Sequence, residues 1–493
     1  MSSCSANTVA RIDKRLFEAG QQCLKRLYLD HHAPVEAKLA ASRSAMSEAG
    51  QELAHLARSA FPRGIEVNQQ CPERAAKETK DHLETDKAPV LFNAAFCTAT
   101  ASARTDIVLR QQDGALDLFE VKSGMRVKTR HLQDLALQVL TIEEAGFQVR
   151  SANILHVNRS YTKSEEDVST QLFRNVEVTE RVRAQLPKIA KLVQAYRQQL
   201  EDDTALQFPT GTFCETPFPC PHLTACSRQE PAHPLRQLPE LSRSMENQLH
   251  EQGINELADL DASDSTLSFR QQQTLEAVSS QEIVLGPFLG EELQQVDYPL
   301  SFLAVAQVTD VIPRFSGMRP WQQVAHAWAV RTLQEDGSQE TATFVSLEKH
   351  DPRTEFVQSL SSQLSGAGMI AYWGHETLAS IRAMLEGMPA EKQAIRAILS
   401  RNQLDMEKLF ESGLFHASLQ PKRSLPAMAN LIGLQGDKSS GTSSDANYAD
   451  LRDAWKPRVR ATTKAKISDR IKERLLWETE VLAGLHARFK QAD

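Results

Sequence analysis

The stretch Ala103–Gln138, ARTDIVLRQQDGALDLFEVKSGMRVKTRHLQDLALQ, constrains the chain more than any other. Ile107, Val108 and Leu109 are apolar and largely β-branched, which predicts a buried strand. Gln111-Gln112-Asp113-Gly114 has turn composition. Leu116, Leu118 and Phe119 then lead a second strand that delivers Glu120 and Lys122. Residues two apart on a strand share a face, so these two side chains point the same way. A hairpin with this turn brings Asp106, read here as an exposed carboxylate, close to Glu120. A helix from about His131 to Gly146 follows and carries Gln138. Two carboxylates and a lysine at the end of a small sheet suit a divalent cation and an oriented water.

The rest of the composition narrows the class. A chain of 493 residues predicts about two to four domains. The net charge of −7 gives no global basic signal, so a nucleic-acid site has to be a local patch. No run of 18 apolar residues is present, and none that would serve as a signal peptide opens the chain, so a cytoplasmic protein without membrane spans is expected. Seven cysteines in such a chain argue for metal ligation or free thiols.

In chain order, residues 10–30 read as one amphipathic helix carrying Cys23, and 44–60 as another holding Gly50, Glu52 and His55. Pro89–Phe96 reads as the first strand and Ala152–Val157 as a later one. A helical stretch to about Leu200 carries Arg181, Arg183, Lys188, Lys191 and Arg197, either a solvated face or a basic one. Cys214, Cys220 and Cys226 then recur with five residues between neighbours in a Pro-rich loop that suits neither helix nor strand. Thiolates so arranged suit zinc or an iron–sulfur cluster, and a fourth ligand has to come from elsewhere. Cys4, Cys71 and Cys97 read as free thiols. Residues 229–295 read as a linker of short helices, in which Asn247–Leu257 is similar to half a helix–hairpin–helix. Residues 435–465 read as a loop ending in the basic residues Lys456, Arg458, Arg460, Lys464 and Lys466, before an amphipathic helix Ile467–Phe489.

Asp106 followed by Glu120-Val121-Lys122 resembles the core of PD-(D/E)xK nucleases, and Gln138 resembles the glutamine of the Q-x-x-x-Y motif in RecB-type members. The resemblance implies that Asp106, Glu120 and the Val121 carbonyl hold Mg²⁺ or Mn²⁺. It implies that Lys122 orients or deprotonates the attacking water and that Gln138 steadies either. The chain departs from the pattern at Ile142 (an aromatic), at Asn93 (a glutamate) and at Ala54, where the family's histidine would stand one residue before His55. The context Cys23-Leu-Lys-Arg-Leu-Tyr-Leu resembles the N-terminal cluster cysteine of AddB-type and CRISPR-adaptation nucleases, which place one cysteine before the core and three after. It implies that Cys23, Cys214, Cys220 and Cys226 hold one [4Fe–4S] cluster, with Zn²⁺ the alternative.

From Tyr298 onward, YPLSFLAVAQ, IPRFSGMRPWQQVAHAWAV and DPRTEFVQSL, with the nuclease motifs, resemble an uncharacterised bacterial family, domain of unknown function 2779. That resemblance implies a DnaQ-like, RNase H-fold exonuclease domain whose first strand carries two metal-binding acids. Here they are Ala304 and Ala306; a second acidic position falls at Thr377, beside Glu376, and the last at Glu478-Thr479. Alanine cannot bind metal, so an inactive scaffold is expected.

The expected architecture is α/β. It comprises a restriction-endonuclease-like nuclease domain (1–228), the helical linker (229–295) and an RNase H-like domain (296–493). The expected function is metal-dependent DNA cleavage in a mobile-element, repair or defence setting, with DNA and other proteins of that setting as partners. The alternative is a non-catalytic protein that binds nucleic acid or a partner.

Overall fold

The structure, a computed structural model, describes residues 10–35, 41–85, 89–164, 170–366, 368–419, 423–435, 443–456 and 458–491. Cys4 and the Ser/Gly tract 436–442 lie outside them. The chain is mixed α/β and divides into two compact units: Met1–Ala37, Ser47–Arg228 and Val311–Pro320 in one, Lys38–Met46, Gln229–Asp310 and Trp321–Asp493 in the other. Residues 229–295 thus cluster with the second sheet rather than forming a separate body. No helix among the described residues is long and apolar enough to cross a membrane.

The first unit begins with α1 (Lys14–Gln22), α2 (Leu24–His32), the part of α3 (Ala41–Arg58) from Ser47 on, β1 (Ile65–Glu66) and α4 (Pro72–Glu84). Then come β2 (Val90–Cys97), β3 (Ser102–Arg110), β4 (Leu116–Lys122), α5 (Thr129–Glu144), β5 (Val149–Val157) and β6 (Phe173–Glu177). It closes with α6 (Thr179–Arg183), α7 (Leu186–Leu200) and α8 (Leu223–Cys226). The six strands form one sheet in chain order. β2, β3 and β4 are an antiparallel meander, α5 is the crossover to the parallel β5, and β1 lies parallel to β2. Alternation splits the sheet residues. Leu91, Val108, Leu118 and Ile154 pack with residues of α1, α2, α5 and α7, whereas Phe92, Ile107 and Leu155 pack with Ala57 of α3.

The β3–β4 hairpin closes as its composition dictates. Gly114 has φ +87°, the left-handed conformation glycine adopts without penalty, and Asp113 Oδ1 accepts from the Ala115 amide at 3.0 Å.

Several expectations are corrected. The helix expected over residues 10–30 is broken at Cys23, whose extended backbone (φ −162°, ψ 132°) ends α1 and opens α2. The two segments have compatible apolar spacing, so periodicity alone joins them. The first strand is Ile65–Glu66, too short to read from pattern. Cys226 ends a one-turn helix, where the Pro-rich sequence predicts neither helix nor strand. Cys71 is disulfide-bonded rather than a free thiol.

The second unit contains α9 (Arg243–Glu251), α10 (Phe269–Ser280), β7 (Val284–Leu285), α11 (Leu289–Gln294), β8 (Leu300–Thr309), β9 (Gln323–Leu333) and β10 (Gln339–Val345). There follow α12 (Arg353–Gln363), β11 (Met369–Tyr372), α13 (Glu376–Ala383), α14 (Lys392–Leu399), β12 (Asn402–Asp405), α15 (Met406–Gly413) and β13 (Leu414–Phe415). Last are α16 (Leu425–Leu431), α17 (Ser443–Trp455) and α18 (Ala461–Phe489). Within the 435–465 region read as a loop, α17 is helical, and the last helix starts earlier than expected. The main sheet has the order β10-β9-β8-β11-β12, with β8 central, antiparallel to β9 and parallel to β11. One face buries Leu303, Val305 and Val330 with Phe356, Leu378 and Ile395 of α12–α14. The other buries Leu300 and Phe302 with Phe410, Met428 and Leu485 of α15, α16 and α18.

His326 on β9 is fully buried, and the Ser346 backbone is the polar group that favours its protonated ring, too weakly to offset burial. Burial, with the Arg474 charge, pushes its pKa down to about 4. A histidine that refuses the proton when folded, but accepts it near about 6.5 when unfolded, makes folding weaken as pH falls through that window. The loss approaches about 3 kcal/mol at about pH 4. His326→Leu should therefore flatten the acid side of the melting-temperature profile between about pH 7 and 5. A profile parallel to the wild type there contradicts this account of His326.

Candidate active site

On β3, Asp106 is two residues from Val108, and on β4, Glu120 and Lys122 continue the face of Leu118. The strand ladder pairs Ile107 with Phe119, so Asp106 and Glu120 meet just beyond its last pair. The Val121 amide donates to Asp106 Oδ2 at 2.7 Å. Gln138, one side of α5, donates through Nε2 to Glu120 Oε2 at 3.0 Å. The structure thus brings Asp106, Glu120, Val121, Lys122 and Gln138 into one cluster on the sheet face covered by α5.

Two residues absent from the sequence reading complete it. Lys122 Nζ lies 2.7 Å from Glu120 Oε1 and 2.6 Å from Asp134 Oδ2. Lys14, at the start of α1, lies 2.7 Å from the same Asp134 oxygen and 3.4 Å from the same Glu120 oxygen. Asp134 was detectable, because it stands four residues before Gln138 and so shares its helix face. Lys14 is 106 residues from Glu120, and no spacing rule reaches that far.

The electrostatics are those of a crowded acidic cluster. Burial and the Glu120 charge push the Asp106 carboxyl up to about 7, against the Val121 amide and both lysines. The expectation of an exposed Asp106 is corrected: the residue is half-buried, with the Val121 amide on its carboxylate. Burial opposes ionisation of Asp134, but the Lys122 and Lys14 charges outweigh it and hold its pKa low. Burial likewise opposes the Lys122 charge, and Glu120 and Asp134 outweigh it. Burial and nearby Lys122, Arg130 and Lys128 push His131 down to about 4.

Asp134 Oδ1 and Gln138 Oε1 are buried with no partner among the described residues. Orphaned oxygens beside a raised carboxyl fit a divalent cation or its water shell. No group of three or more His, Cys, Asp or Glu side chains among the described residues is arranged to hold a metal ion as it stands. The carboxylate pair would therefore depend on backbone and water oxygens for its remaining ligands.

The positions where the chain departs from the nuclease pattern fall out differently. Asn93 stands opposite Asp106 where the β2–β3 ladder is interrupted, with φ +55°, a conformation asparagine tolerates better than most residues. Its Nδ2 donates to Glu66 Oε1 at 2.8 Å, so β1 brings a carboxylate one hydrogen bond from that position. His55 is exposed on α3, and Ile142 is wholly buried in the α5 core face.

The four cysteines lie near enough for their charges to influence one another. Burial, and then the neighbouring Cys23, Cys220 and Cys226, push the Cys214 thiol up to about 11. Burial also raises Cys220, with Cys23 and Cys226 acting the same way. The Gly211 amide donates to Cys214 Sγ at 3.5 Å, and the His222 amide to the Cys220 sulfur, which stabilises thiolates. Gln22 Nε2, next to Cys23, lies 2.8, 3.0 and 2.8 Å from the carbonyls of Phe213, Thr216 and Phe218 and shares its two hydrogens among them, latching the end of α1 to the cysteine loop. His222 and Asp30 add a buried contact of 2.7 Å between the cysteine loop and α2. Thiolates with amide donors are the chemistry of a sulfur-held metal or cluster, but as they stand these cysteines do not form a ready ligand set.

In the second unit, Ala304 and Ala306 are buried on β8 and pair with Ala329 and Ala327. Gln307 Nε2 is 3.5 Å from Glu376 Oε2, Thr377 Oγ1 donates to the Trp373 carbonyl, and Thr479 is buried on α18. In that region the buried Arg474 is paired with Asp450 at 3.3 Å, with Arg470 on the same carboxylate. Of the basic residues, Lys456 pairs with Asp453 and Lys464 with Glu348. Gly253, with φ +82°, turns the chain after α9.

No curated protein matches the chain. The family model described as domain of unknown function (DUF2779) matches residues 306–424, which supports the resemblance to that family over those residues.

Proposed function

We propose that this protein is a metal-dependent nuclease that hydrolyses phosphodiester bonds in DNA. The observation that carries the reading is the meeting of Asp106 and Glu120 beyond one hairpin ladder, with Lys122 and Gln138 on Glu120. Asp106 and Glu120, with the Val121 carbonyl, would hold Mg²⁺ or Mn²⁺. The ion would stabilise charge developing on the phosphate oxygens and lower the pKa of a nearby water. Lys122 is placed to orient that water and to offset phosphate charge, because its ammonium is fixed by two carboxylates that keep it protonated. Gln138 fixes Glu120 through Oε2 and leaves its own buried Oε1 to accept from a water. Cys23, Cys214, Cys220 and Cys226 would hold a [4Fe–4S] cluster, or Zn²⁺, that joins the start of the unit to its end.

The second unit reads as an RNase H-like fold of DnaQ type without its chemistry. The strand order β10-β9-β8-β11-β12, with β8 central and β9 antiparallel, supports that reading. Ala304 and Ala306 on β8 support the loss of metal binding. A role in holding DNA or another protein is what remains to it.

Protein purified without oxygen and given Mn²⁺ should cut end-labelled single- or double-stranded DNA, and EDTA should stop the reaction. Intact substrate with every divalent metal tried contradicts the proposal and favours a non-catalytic binding protein.

A further inference from the structure

We infer that Lys14 is a phosphate-binding residue that leaves the carboxylates when a divalent cation arrives; this rests on the nuclease reading above. Lys14 and Lys122 compete for the same two oxygens, Glu120 Oε1 and Asp134 Oδ2. The cluster has three carboxylates, Asp106, Glu120 and Asp134, against two ammonium groups. Without metal, the lysines offset most of its negative charge. A bound divalent cation reverses the sign, so one ammonium is then repelled and a phosphodiester is attracted.

The lysine free to move is Lys14. Its side chain is 49% exposed, against 14% for Lys122, and its contact with Glu120 is the longer one. Its place on the helix agrees. A cation in the first turn opposes the helix dipole, and α1 has no acid there to offset it, so Lys14 does not serve the helix itself. The Asp13 side chain accepts from the Leu16 amide at 2.8 Å and supplies the N-cap, which fixes where Lys14 leaves the backbone. The ammonium is thus carried on a flexible stem from a fixed root at the rim of the carboxylate cluster.

The test compares intact wild type, Lys14→Met and Lys14→Arg. Mn²⁺ affinity is read by electron paramagnetic resonance. Binding of a fluorescent single-stranded oligonucleotide in Ca²⁺ is read by anisotropy across a salt series, and thermal unfolding is followed alongside. Lys14→Met should bind Mn²⁺ a few-fold tighter, about fivefold at most for a half-exposed pair. It should bind DNA more weakly, with a log–log salt slope smaller by about one. Lys14→Arg should restore DNA binding. An unchanged salt slope in Lys14→Met overturns the inference, as does a joint weakening of Mn²⁺ binding, DNA binding and melting temperature, which marks a structural ion pair. Wild type that binds no Mn²⁺ overturns the metal reading itself, a result distinct from either.

Discussion

Glu120→Gln and Lys122→Met proteins are expected to lose metal-dependent cleavage by about a thousandfold while staying folded. Glu120 is 4% exposed and is the hub of the cluster: Lys122, Lys14 and Gln138 all reach it. The glutamine variant keeps the shape and one accepting oxygen, turns the other oxygen into a donor, and removes the charge that a divalent cation needs. Lys122→Met keeps the stem and removes the ammonium that orients the water. Loss of one partner from a buried ion pair does cost stability, up to about 3–5 kcal/mol. Here the loss is cushioned, because Lys14 remains on the same oxygens after Lys122→Met, and Lys14 and Lys122 keep Asp134 after Glu120→Gln. Circular dichroism and melting should therefore show folded variants with cleavage gone. Wild-type rates in either variant would remove these residues from the chemistry.

Cys220→Ser is expected to have the largest effect on stability. The anaerobic wild type should be brown, and the variant should lose the colour together with the order of the α1–cysteine-loop junction. Metal binding at a four-thiolate site is coupled to folding and is worth about 10 kcal/mol or more for structural zinc peptides. The polypeptide has its own ties there, since the two hydrogens of Gln22 Nε2 are shared among three carbonyls of the loop and His222 meets Asp30. These hydrogen bonds, about 1 kcal/mol each, cannot replace the ligand bonds. The junction also starts at Cys23, where α1 ends, and α1 begins at Lys14, so its disorder should lower cleavage as well. Hydrogen exchange over residues 14–32 and 211–226 reads this directly. A colourless wild type with about one zinc per chain would assign the site to zinc. A variant unchanged in metal content and exchange would dissolve the site.

Much of the first unit's centre was legible because it is local. The hairpin, its turn at Gly114 and the helix carrying Gln138 follow one another within a few dozen residues, and each has its own period or turn chemistry. The centre of β8 was legible as the apolar run Phe302–Ala306, and the strand is buried along all but its last residue. What was missed is long-range or short. Lys14 reaches Glu120 only because α1 folds onto the sheet, and β1 has two residues, too few for a pattern. The break at Cys23 is invisible to periodicity, because α1 and α2 present apolar faces with compatible spacing on either side. The helix α17 was hidden by a polar, Ser- and Asp-rich sequence of the kind that also forms loops.

The central claim is that Asp106 and Glu120 hold the ion that cuts DNA. It is tested most directly by titrating Mn²⁺ into anaerobic wild-type and Asp106→Asn protein, reading bound ion by electron paramagnetic resonance and cleavage in the same samples. The account predicts saturable Mn²⁺ binding by the wild type, with cleavage that follows occupancy, and neither in Asp106→Asn. Equal Mn²⁺ binding and equal cleavage by the two proteins, or no bound Mn²⁺ and no cleavage by the wild type, would contradict it.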